Sequence, residues 1–579
     1  MADKIDINVR IGGRAGFGIM TAAQALAKTA KKDGLRSFTS TVYPSLIRGG
    51  HNTADIRISN KEVYSNRYTV DILLAMNTES IEKHTNSMTK GGIIIYDPKE
   101  TKITLKPKVK LDYIELPIDE IAKKNGGTVM MNTVIVAAAL TVLGIDINHF
   151  KEALKQIFKR KGEQVVNNNI SCVDETVNVI KEKYRKKPVF ANVKRENLND
   201  HLMMTGNHAI SMGALKAGCK FMSAYPMTPS TSIMETLAKY EKQHNFVVKH
   251  VEDELTSINM ACGAAFAGVR ALTASSGGGI SLMIEGVGAA ITEELPLVVV
   301  CATRTGPGSG MPTHTGQGDL NLVYYSGTGD APRIVIAPGD IEEFFSMTFD
   351  AFNWAEEYQM VVFILTDKQA ASSLKVFPSF KMDKLKIKRG KLLKKGDLDK
   401  VKDYKRYEMI KGDPISPRAI PGIKNGMHVS STYVHGEHGH EKDDPQNKID
   451  MERKLFGKLK LAKKNMPKPR IFGPKDAGIS IISWGTTKQY VDQIREEMEE
   501  DGIKIRHMHV SIISPFPTEA IIDFIDSSKK LMLIEQNFSG QFNNLIKLNC
   551  QREIKDLYLQ ADGYTIDNDK VKAIIKSML

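Results

Sequence analysis

Apolar runs of strand length alternate with longer amphipathic stretches along most of the 579-residue chain. In the first example, a glycine turn separates the run IDINVRI from the helical stretch IMTAAQALAKTAKKDG. Later runs of the same kind are DILLAM and GGIIIYD, followed by the helical pattern NTVIVAAALTVLG. Alternation of this kind is typical of α/β domains built on a parallel sheet. Residues 5–185 are therefore predicted to form an α/β domain with a parallel sheet.

A charged and unpatterned linker follows at residues 181–200. After it, two more regions show the same alternation of strand-like and helix-like segments. The second begins near His201, ends near Ser373, and contains the strand patterns FMSAYP, FVVKHVED, ALTASS, LPLVVVCAT, RIVIAPG and MVVFILTD. The third begins at GISIISWGT and contains the strand KLMLIEQN. Residues 374–470 are rich in Lys, Pro and Gly, and we predict a connecting arm that wraps another domain or subunit. The predicted fold class is therefore three tandem α/β domains, at residues 1–185, 201–373 and 471–579.

Composition narrows the class of protein. A hydrophobic fraction of 42% and a charged fraction of 25% are ordinary for a folded globular chain. The N-terminus lacks a basic stretch followed by an apolar one, and no apolar run approaches the roughly 20 residues of a membrane span, so we expect a cytoplasmic protein. The five cysteines are scattered and form no CxxC pair, which argues against disulfides and against a zinc or iron–sulfur site within this chain alone.

The formal charge of +13 is concentrated in two segments rather than spread over a domain. Between Lys381 and Arg406 there are 12 Lys or Arg against four Asp, and a second basic run covers Lys454 to Arg470. Such a run is either a solvated connector or a docking surface for an acidic partner. No aromatic residues are interleaved in the way that nucleic-acid binding requires, so we expect no nucleic-acid partner.

The first candidate site is the turn GGRAGFG at residues 12–18, between a strand and a helix. Backbone N–H groups can approach a phosphate at such a position. The glycines do not have the GxGxxG spacing, which disfavours NAD, and a purely structural tight turn is the alternative. The polar loop YPSLIRGGHN, residues 43–52, follows the next strand. Two loops at the carboxyl ends of neighbouring strands would form one crevice, in which Arg48 could meet a phosphate.

The second candidate is SAYPMTPST, residues 223–231, where a strand ends in a turn and a helix follows. Pro226 and Pro229 stiffen the loop, and Ser230 is a candidate N-cap. A structural cap explains Ser230 but does not explain a threonine held between two prolines. The rigid backbone would fix the hydroxyl of Thr228 in space, which suits the binding of a small substrate.

The third candidate is the acidic stretch VEDEL, residues 251–255, at the start of a predicted helix. Acidic residues in a first helical turn are commonly only partners of the helix dipole. This explanation is weaker for Glu254 than for Glu252 and Asp253, because the residues that follow Glu254 on its helix are apolar. A carboxyl group in such surroundings can stay protonated and donate a hydrogen bond.

The fourth candidate is Arg304, in the segment TRTGPGSGMPT that follows the apolar strand LPLVVVCA. An always-charged guanidinium at the end of a buried strand needs an anionic partner, and a carboxylate matches its fork geometry. A structural salt bridge is the competing explanation. The glycine-rich segment behind Arg304 favours a loop that shapes itself around a ligand.

These four stretches, in this order, resemble the 2-oxoacid:ferredoxin oxidoreductases in which a γ domain is fused ahead of the α subunit. The γ-like part is carried by GGRAGFG, YPSLIRGGHN and NTVIVAAALTVLG. The α-like pyrimidine-binding domain is carried by GNHAISMGALKAG, AYPMTPST, VEDELTSINMACGAAFAG, TASSGGGISLM, EELPLVVVCATRTGPGSGMPT and QGDL. SWGTT and LIEQNFSGQ are similar to the family's transketolase-C-like module, and SPRAIPG and HGEHGHEKDDPQNK to its connecting arm.

The resemblance implies roles for the candidate residues. Glu254 would hold N1′ of the aminopyrimidine of thiamine diphosphate and favour the form that removes the C2 proton. Thr228 and Arg304 would bind the carboxylate and keto group of the substrate. The γ-like crevice would help to bind coenzyme A, with Gly16, Ser45 and Arg48 as its contacts.

The resemblance also implies a partner. A β subunit would contribute the Mg²⁺ and diphosphate site and a [4Fe–4S] cluster that passes electrons to ferredoxin, in an (αβ)₂ assembly. The fused arrangement favours 2-oxoglutarate as substrate, or a broad substrate specificity. Pyruvate, branched-chain and aryl 2-oxoacids are alternatives, and a subunit that has lost catalysis and serves as a scaffold is the rival from a different class.

Overall fold

The structure is a computed structural model that describes residues 4–43, 50–103 and 105–579. The chain divides into two compact units. The first unit comprises residues Met1–Met204 and Ser372–Ser379, and the second comprises Thr205–Ala371 and Phe380–Leu579. The second α/β domain was predicted to begin near His201, but residues 201–204 form a strand of the first unit.

The first unit combines long strands with helices that carry one apolar face. Its strands up to residue 204 are β1 (Asp6–Arg14), β2 (Arg36–Val42), β3 (His51–Ser59), β4 (Val70–Ala75), β5 (Met88–Tyr96), β6 (Asp112–Glu115) and β7 (His201–Met204). Its helices are α1 (Ile19–Lys32), α2 (Thr78–His84), α3 (Ile118–Asn125), α4 (Met131–Leu143), α5 (Ile147–Phe158) and α6 (Glu163–Lys183).

The sheet of the first unit is mixed, not parallel as predicted. Its order is β6-β5-β4-β1-β3-β2, extended by the strand Leu374–Pro378 and then β7. β4, β5 and β6 run parallel to β1, but β3 is antiparallel to both β1 and β2. Only residues 43–50 separate β2 from β3, which is too short for the crossover that parallel strands need. The shortness of this connection could have been seen in the sequence.

The second unit begins with the module that the second alternation predicted. Its helices up to residue 372 are α7 (Gly206–Lys216), α8 (Thr231–Lys239), α9 (Glu241–His244), α10 (Glu254–Phe266), α11 (Gly277–Leu282), α12 (Ile284–Thr292), α13 (Leu320–Tyr324), α14 (Ile341–Tyr358) and α15 (Lys368–Ser372). Its strands are β8 (Phe221–Ala224), β9 (Val247–His250), β10 (Ala271–Ser275), β11 (Leu297–Thr303), β12 (Ile334–Ile336) and β13 (Val361–Asp367), and the strand Leu374–Pro378 of the first unit is β14.

The remaining elements form the arm and the third module. They are α16 (Lys395–Leu398), α17 (Pro445–Asn465), β15 (Arg470–Phe472), β16 (Ile479–Trp484), α18 (Thr487–Glu500), β17 (Ile505–Val510), β18 (Ile512–Ser514), α19 (Thr518–Asp526), β19 (Leu531–Glu535), α20 (Gln541–Cys550), β20 (Asp556–Leu559) and α21 (Asn568–Met578). The arm therefore contains a 21-residue helix, α17, where its lysine-rich sequence showed little periodicity.

The two modules of the second unit share a sheet and a core. The central strands β13, β11, β10, β8 and β9 pair in parallel, and β12 joins them in parallel at β13. At the other side of β12, the third-module strand β18 pairs antiparallel with it. Buried residues of both modules, such as Val335, Ile482 and Phe542, belong to one hydrophobic cluster. The third module also has its own sheet, in the order β15-β17-β16-β19-β20.

Two buried acidic residues of the second unit hold the arm. Glu294, which follows α12, accepts hydrogen bonds from Lys454 (Nζ–Oε1 2.7 Å) and from Lys458, both on α17. Glu356 on α14 binds Arg418 (Nη2–Oε2 2.6 Å) and Arg389 (Nε–Oε1 3.2 Å) of the arm. The arm was predicted to wrap another domain or subunit. These contacts show that it packs on the module that precedes it in the same unit.

Within the described ranges, no single helix is long and apolar enough to cross a membrane. One bent pair, Ile118–Asn125 with Thr128–Leu143, meets the length and composition criteria together.

Candidate active site

Glu254 is the first residue of α10, and its side chain is only 3% exposed. The preceding Asp253 caps the helix by accepting a hydrogen bond from the Thr256 backbone N–H (2.7 Å). Asp253 thus has the capping role that acidic residues often take, whereas Glu254 turns inward. The hydroxyl of Ser275, at the end of β10, donates to Glu254 Oε1 at 3.0 Å.

The glycine run at the start of α11 lies directly against this carboxylate. A Cβ on Gly279 would be 2.4 Å from Glu254 Oε1, and one on Gly277 would be 2.4 Å from the carboxylate of Asp319. Any larger residue at these two positions would displace a carboxyl group. The absence of side chains is therefore what allows two carboxyl groups to flank the start of α11.

Arg304 and Thr228 are brought together at the ends of β11 and β8. Arg304 Nη1 donates to the backbone carbonyl of Thr228 at 2.8 Å. In the part of the chain that the structure describes, Arg304 forms no ion pair, and the Thr228 hydroxyl has no hydrogen-bond partner. Ser230 is at the N-cap position of α8, but its hydroxyl donates back to the Met227 carbonyl (2.8 Å) instead of capping the helix.

Arg304 lines a cavity of about 460 Å³. Gly277, Gly278 and Asp319 form one side, and residues 536–541 of the third module form another. Hydrogen bonds fix this second wall: Gln541 Nε2 donates to the Gly318 carbonyl (2.7 Å), and the Gln536 N–H donates to Gln317 Oε1 (3.1 Å). Phe538 on this wall is 88% exposed. The cavity has the size of a small-molecule site and is built from both modules of the second unit.

Asp319 is a cavity residue that the sequence reasoning did not single out. Burial raises the pKa of its carboxyl to about 6, although the Arg304 guanidinium opposes that shift. Burial likewise lowers the pKa of Arg304, and Asp319 opposes that shift. The motif QGDL was recognised only by its resemblance. Its sequence gives no sign that the carboxylate would lie against Gly277, more than 40 positions earlier.

The residues around Glu254 fit a thiamine-type cofactor. An aminopyrimidine ring needs a carboxyl group, shielded from water, that can form a hydrogen bond to a ring nitrogen. Ser275 engages one oxygen of Glu254, and the other has no hydrogen-bond partner among the described residues. The glycine at position 279 keeps the space beside the carboxyl group free of a side chain.

The glycine turn of the first unit lies at the carboxyl end of β1. Gly16 has a φ of 92°, and no atom of the described residues lies within 4 Å of the position that its Cβ would take. The Ala15 N–H donates to the Gly50 carbonyl at 2.9 Å, which brings the turn next to the end of the second loop. The two loops follow strands that are not neighbours, because β3 lies between β1 and β2. Ser45 and Arg48 lie outside the described residues.

Two histidines lie behind this turn. His51 Nε2 and His84 Nε2 are 2.8 Å apart, and Arg10, which is paired with Asp55, contacts His84 Nδ1 at 3.3 Å. Burial, together with the positive charge of Arg10, lowers the pKa of His84 to about 2. Burial also lowers the pKa of His51, and a hydrogen bond between the two Nε2 atoms joins the rings.

The cysteines and other metal-ligating residues are dispersed. Over the described ranges, no group of three or more His, Cys, Asp or Glu side chains is arranged to hold a metal ion. The five cysteines are unpaired, and burial raises the pKa of Cys219 and of Cys262 to about 12.

Comparison with known proteins identifies three regions of one enzyme family. Residues 8–179 match the pyruvate ferredoxin/flavodoxin oxidoreductase domain, and residues 212–454 match the thiamine-diphosphate-binding domain of pyruvate flavodoxin/ferredoxin oxidoreductases. Residues 477–571 match core domain II of pyruvate:ferredoxin oxidoreductase. These matches confirm the three predicted α/β modules in their predicted order.

Whole-chain relatives extend the match. The chain is 31% identical to the alpha subunit of 2-oxoacid:ferredoxin oxidoreductase 2 from Aeropyrum pernix, covering 99% of this chain and 98% of that one. It is 30% identical to the KorA subunit of 2-oxoglutarate synthase from Methanocaldococcus jannaschii, covering 60% of this chain and 92% of that one.

A solved structure gives the same result. The 2-oxoglutarate:ferredoxin oxidoreductase of Magnetococcus marinus, solved with 2-oxoglutarate, coenzyme A and succinyl-CoA bound, is 31% identical and superposes with a TM-score of 0.92. The match covers 99% of this chain and all of that chain. The chain belongs to the 2-oxoacid:ferredoxin oxidoreductase family and is of its fused γ–α type.

Proposed function

We propose that this chain is the α-type subunit of an enzyme that oxidatively decarboxylates a 2-oxoacid, with 2-oxoglutarate as the favoured substrate. The 2-oxoacid and coenzyme A would give acyl-CoA and CO₂, and two electrons would reduce two ferredoxins, one electron each. The observation that carries the proposal is the grouping of Glu254, Ser275, Thr228 and Arg304 at the carboxyl ends of β8, β10 and β11 and the start of α10. Ligands in α/β sheets bind at this edge.

The residues of this group have separate tasks. Thiamine diphosphate, when bound, would supply the electron sink for decarboxylation. Glu254 would hold a proton at the aminopyrimidine N1′, with Ser275 orienting its carboxyl group. Arg304 would bind the substrate carboxylate, and the Thr228 hydroxyl the keto group. The contact between Arg304 and the Thr228 carbonyl keeps both in one position, so their contribution is the orientation of the substrate.

Electron transfer is assigned to a partner. The five scattered cysteines offer no ligand set for a [4Fe–4S] cluster, so we place the cluster, Mg²⁺ and the diphosphate site on a β subunit, in an (αβ)₂ assembly. We further propose that the first unit takes the coenzyme A side, with Gly16 at the open glycine turn and Ser45 and Arg48 on the neighbouring loop. This assignment is supported by the space beside Gly16, which no described residue fills.

The substrate class follows from relatives and from the charge of the cavity. The relatives named above act on 2-oxoglutarate or on 2-oxoacids. Of the described cavity residues, Arg304 alone is cationic, so a second carboxylate would need a partner from elsewhere, such as the β subunit. Co-expression with β and a ferredoxin-reduction assay over a panel of 2-oxoacids tests this. A preference for pyruvate, branched-chain or aryl 2-oxoacids would replace 2-oxoglutarate as the assigned substrate. If no 2-oxoacid in the panel led to ferredoxin reduction, the scaffold alternative would be favoured.

Replacing Arg304 by methionine is expected to raise the KM for the 2-oxoacid at least tenfold with a smaller change in kcat. A charged hydrogen bond of this kind contributes about 1.5–3 kcal/mol, and tenfold corresponds to about 1.4 kcal/mol. Arg304→Lys keeps the positive charge but loses the forked pair of N–H donors. Its KM should therefore lie between those of the parent enzyme and of Arg304→Met. Arg453→Met, which removes an exposed arginine of α17, is the control. An unchanged KM in Arg304→Met would contradict the carboxylate contact.

Asp319 is expected to make substrate binding depend on pH. Its carboxyl, with a pKa of about 6, is ionised above that value and neutral below it. Because the ionised form repels an anionic substrate near Arg304, the KM should fall several-fold as the pH is lowered from 7.5 to 5.5. Asp319→Asn should have the low KM throughout and lose this dependence. Initial rates over this pH range measure how the KM depends on pH. If Asp319→Asn showed the same pH profile as the parent enzyme, Asp319 would not be the cause of the pH dependence.

A further inference from the structure

Within the basic run at residues 454–470, residues 460–469 form one wall of a second cleft, which the proposed function does not use. This basic cleft lies between the end of α17, the segment leading into β15, and the third-module elements β17, β18 and α19. Its volume is about 790 Å³, and it shares no lining residue with the cavity that contains Arg304. That volume is within the range of sites that enclose a small organic ligand.

Cationic side chains dominate the lining of the basic cleft. They are Lys460, Lys463, Lys464, Lys468, Lys475 and Arg506, against two carboxylates, Glu519 and Asp523. Lys463 is paired with Glu519 at 3.0 Å. The other five cations form no ion pair with any residue that the structure describes. The basic segment at residues 381–406 differs, because Lys388, Arg389, Lys391 and Lys405 are paired with carboxylates of the same unit.

Arg506 is the most informative of these residues, because it is only 7% exposed. Its guanidinium lies 4.4 Å from the centre of the Phe524 ring, and Nη1 donates to the Ser527 hydroxyl at 2.9 Å. These contacts leave most of its N–H donors without a partner among the described residues. Burial of a charge is costly unless an opposite charge compensates it. A guanidinium held on a ring, with free donors at a cleft, is suited to an anion and above all to phosphate.

The walls of the basic cleft indicate what the anion is attached to. Met466, Ile512, Pro515 and Phe524 are among the apolar residues that line the cleft, and the Phe524 ring is the one in contact with Arg506. Exposed lysines at the rim can bind further phosphates as point charges. A ligand with a flat apolar part and more than one phosphate matches both surfaces. We propose that the basic cleft binds a nucleoside polyphosphate, with its phosphates on Arg506, Lys464 and Lys468 and its base against the apolar wall.

ADP is the probe for this site. Isothermal titration of ADP into the assembled complex, already saturated with coenzyme A and thiamine diphosphate, should reveal one further site per chain. The saturating ligands occupy the other places where a phosphate would bind. The double variant Lys464→Gln/Lys468→Gln should raise the Kd for ADP at least tenfold, and Arg506→Gln should do the same. Lys448→Gln, on the first turns of α17 and outside the cleft, should leave the Kd unchanged.

The double variant alters exposed residues only, so it tests the site even if Arg506→Gln does not fold. A photoreactive azido-ADP should label peptides within residues 464–475 or 507–529. Absence of ADP binding, an unchanged Kd in the double variant, or labelling confined to other peptides would overturn the proposal. If inorganic diphosphate binds as tightly as ADP, the cleft is an anion site without a nucleotide, and the assignment fails.

Discussion

Glu254→Ala is expected to lower 2-oxoacid-dependent viologen reduction by the assembled complex about 100-fold or more. Proton transfer by a positioned side chain typically contributes 10²–10⁴-fold to a rate. Glu254 is the buried carboxyl group at the candidate pyrimidine site, and the hydrogen bond from Ser275 fixes its orientation. Glu254→Gln should also be impaired, because an amide cannot exchange the proton. Steady-state rates at saturating substrate and cofactor measure the effect.

Glu252→Ala is the matched control for this experiment. Glu252 lies two residues earlier and is exposed, and among the described residues it accepts a hydrogen bond only from the Thr256 hydroxyl (2.9 Å). Its loss should leave the rate within about twofold of the parent, as most surface substitutions do. Full turnover in Glu254→Ala would exclude the proposed role of this carboxyl group. Equal losses in both variants would point to a disturbed helix start instead.

Glu294→Gln is expected to weaken the attachment of the arm by about 3–5 kcal/mol, which is typical when one partner of a buried ion pair is removed. Glu294 is 2% exposed and binds both Lys454 and Lys458, and its backbone carbonyl accepts from Arg406 (2.9 Å). Glutamine keeps the size of the side chain but leaves two buried lysines without their counter-charge. We expect earlier thermal unfolding and faster proteolysis between residues 400 and 445.

The same carboxylate makes the attachment depend on pH. Burial alone would raise the pKa of Glu294, but Lys454, Lys458 and Arg406 outweigh it and hold the pKa well below its ordinary value of 4.5. Its stabilisation is therefore complete above pH 4.5 and is lost as the pH falls towards the lower native value. Glu294→Gln should abolish this acid-dependent part of the unfolding profile.

Glu452→Gln is the control for the unfolding and proteolysis experiments on Glu294→Gln. It removes an exposed i,i+4 pair with Lys448 on the same helix, which contributes only about 0.3–0.5 kcal/mol. If Glu294→Gln were no more sensitive to heat and protease than Glu452→Gln, the buried cluster would not be what holds the arm.

The modules and most strands could be predicted from the sequence, because periodicity is a local property. Runs such as LPLVVVCAT and MVVFILTD appear in the structure as the buried strands β11 and β13. The direction of a strand depends on the connection that follows it, and the parallel prediction for the first sheet overlooked the short segment between β2 and β3. The helix α17 was missed because its lysines replace apolar residues on the buried face: Lys454 and Lys458 face Glu294, 160 and 164 residues away.

The candidate site was predictable where chemistry is visible in a short segment. Glu254, Thr228 and Arg304 each belong to a distinctive motif, and the structure brings Thr228 and Arg304 into contact. Asp319, Ser275 and the wall at residues 536–541 could not be singled out in this way. Their importance depends on which residues lie across the cavity, and that is decided by the packing of the third module against the second.

The pairing of β18 with β12 determines where this chain can be divided. A fragment ending at residue 470 would lack β18 and would expose the free edge of β12, together with apolar residues such as Val335 that the third module covers. Unpaired sheet edges next to exposed apolar surface promote aggregation. Residues 205–579 are therefore expected to fold and to be purified as one piece, and an expression fragment cut between the arm and the third module should be recovered mainly in inclusion bodies.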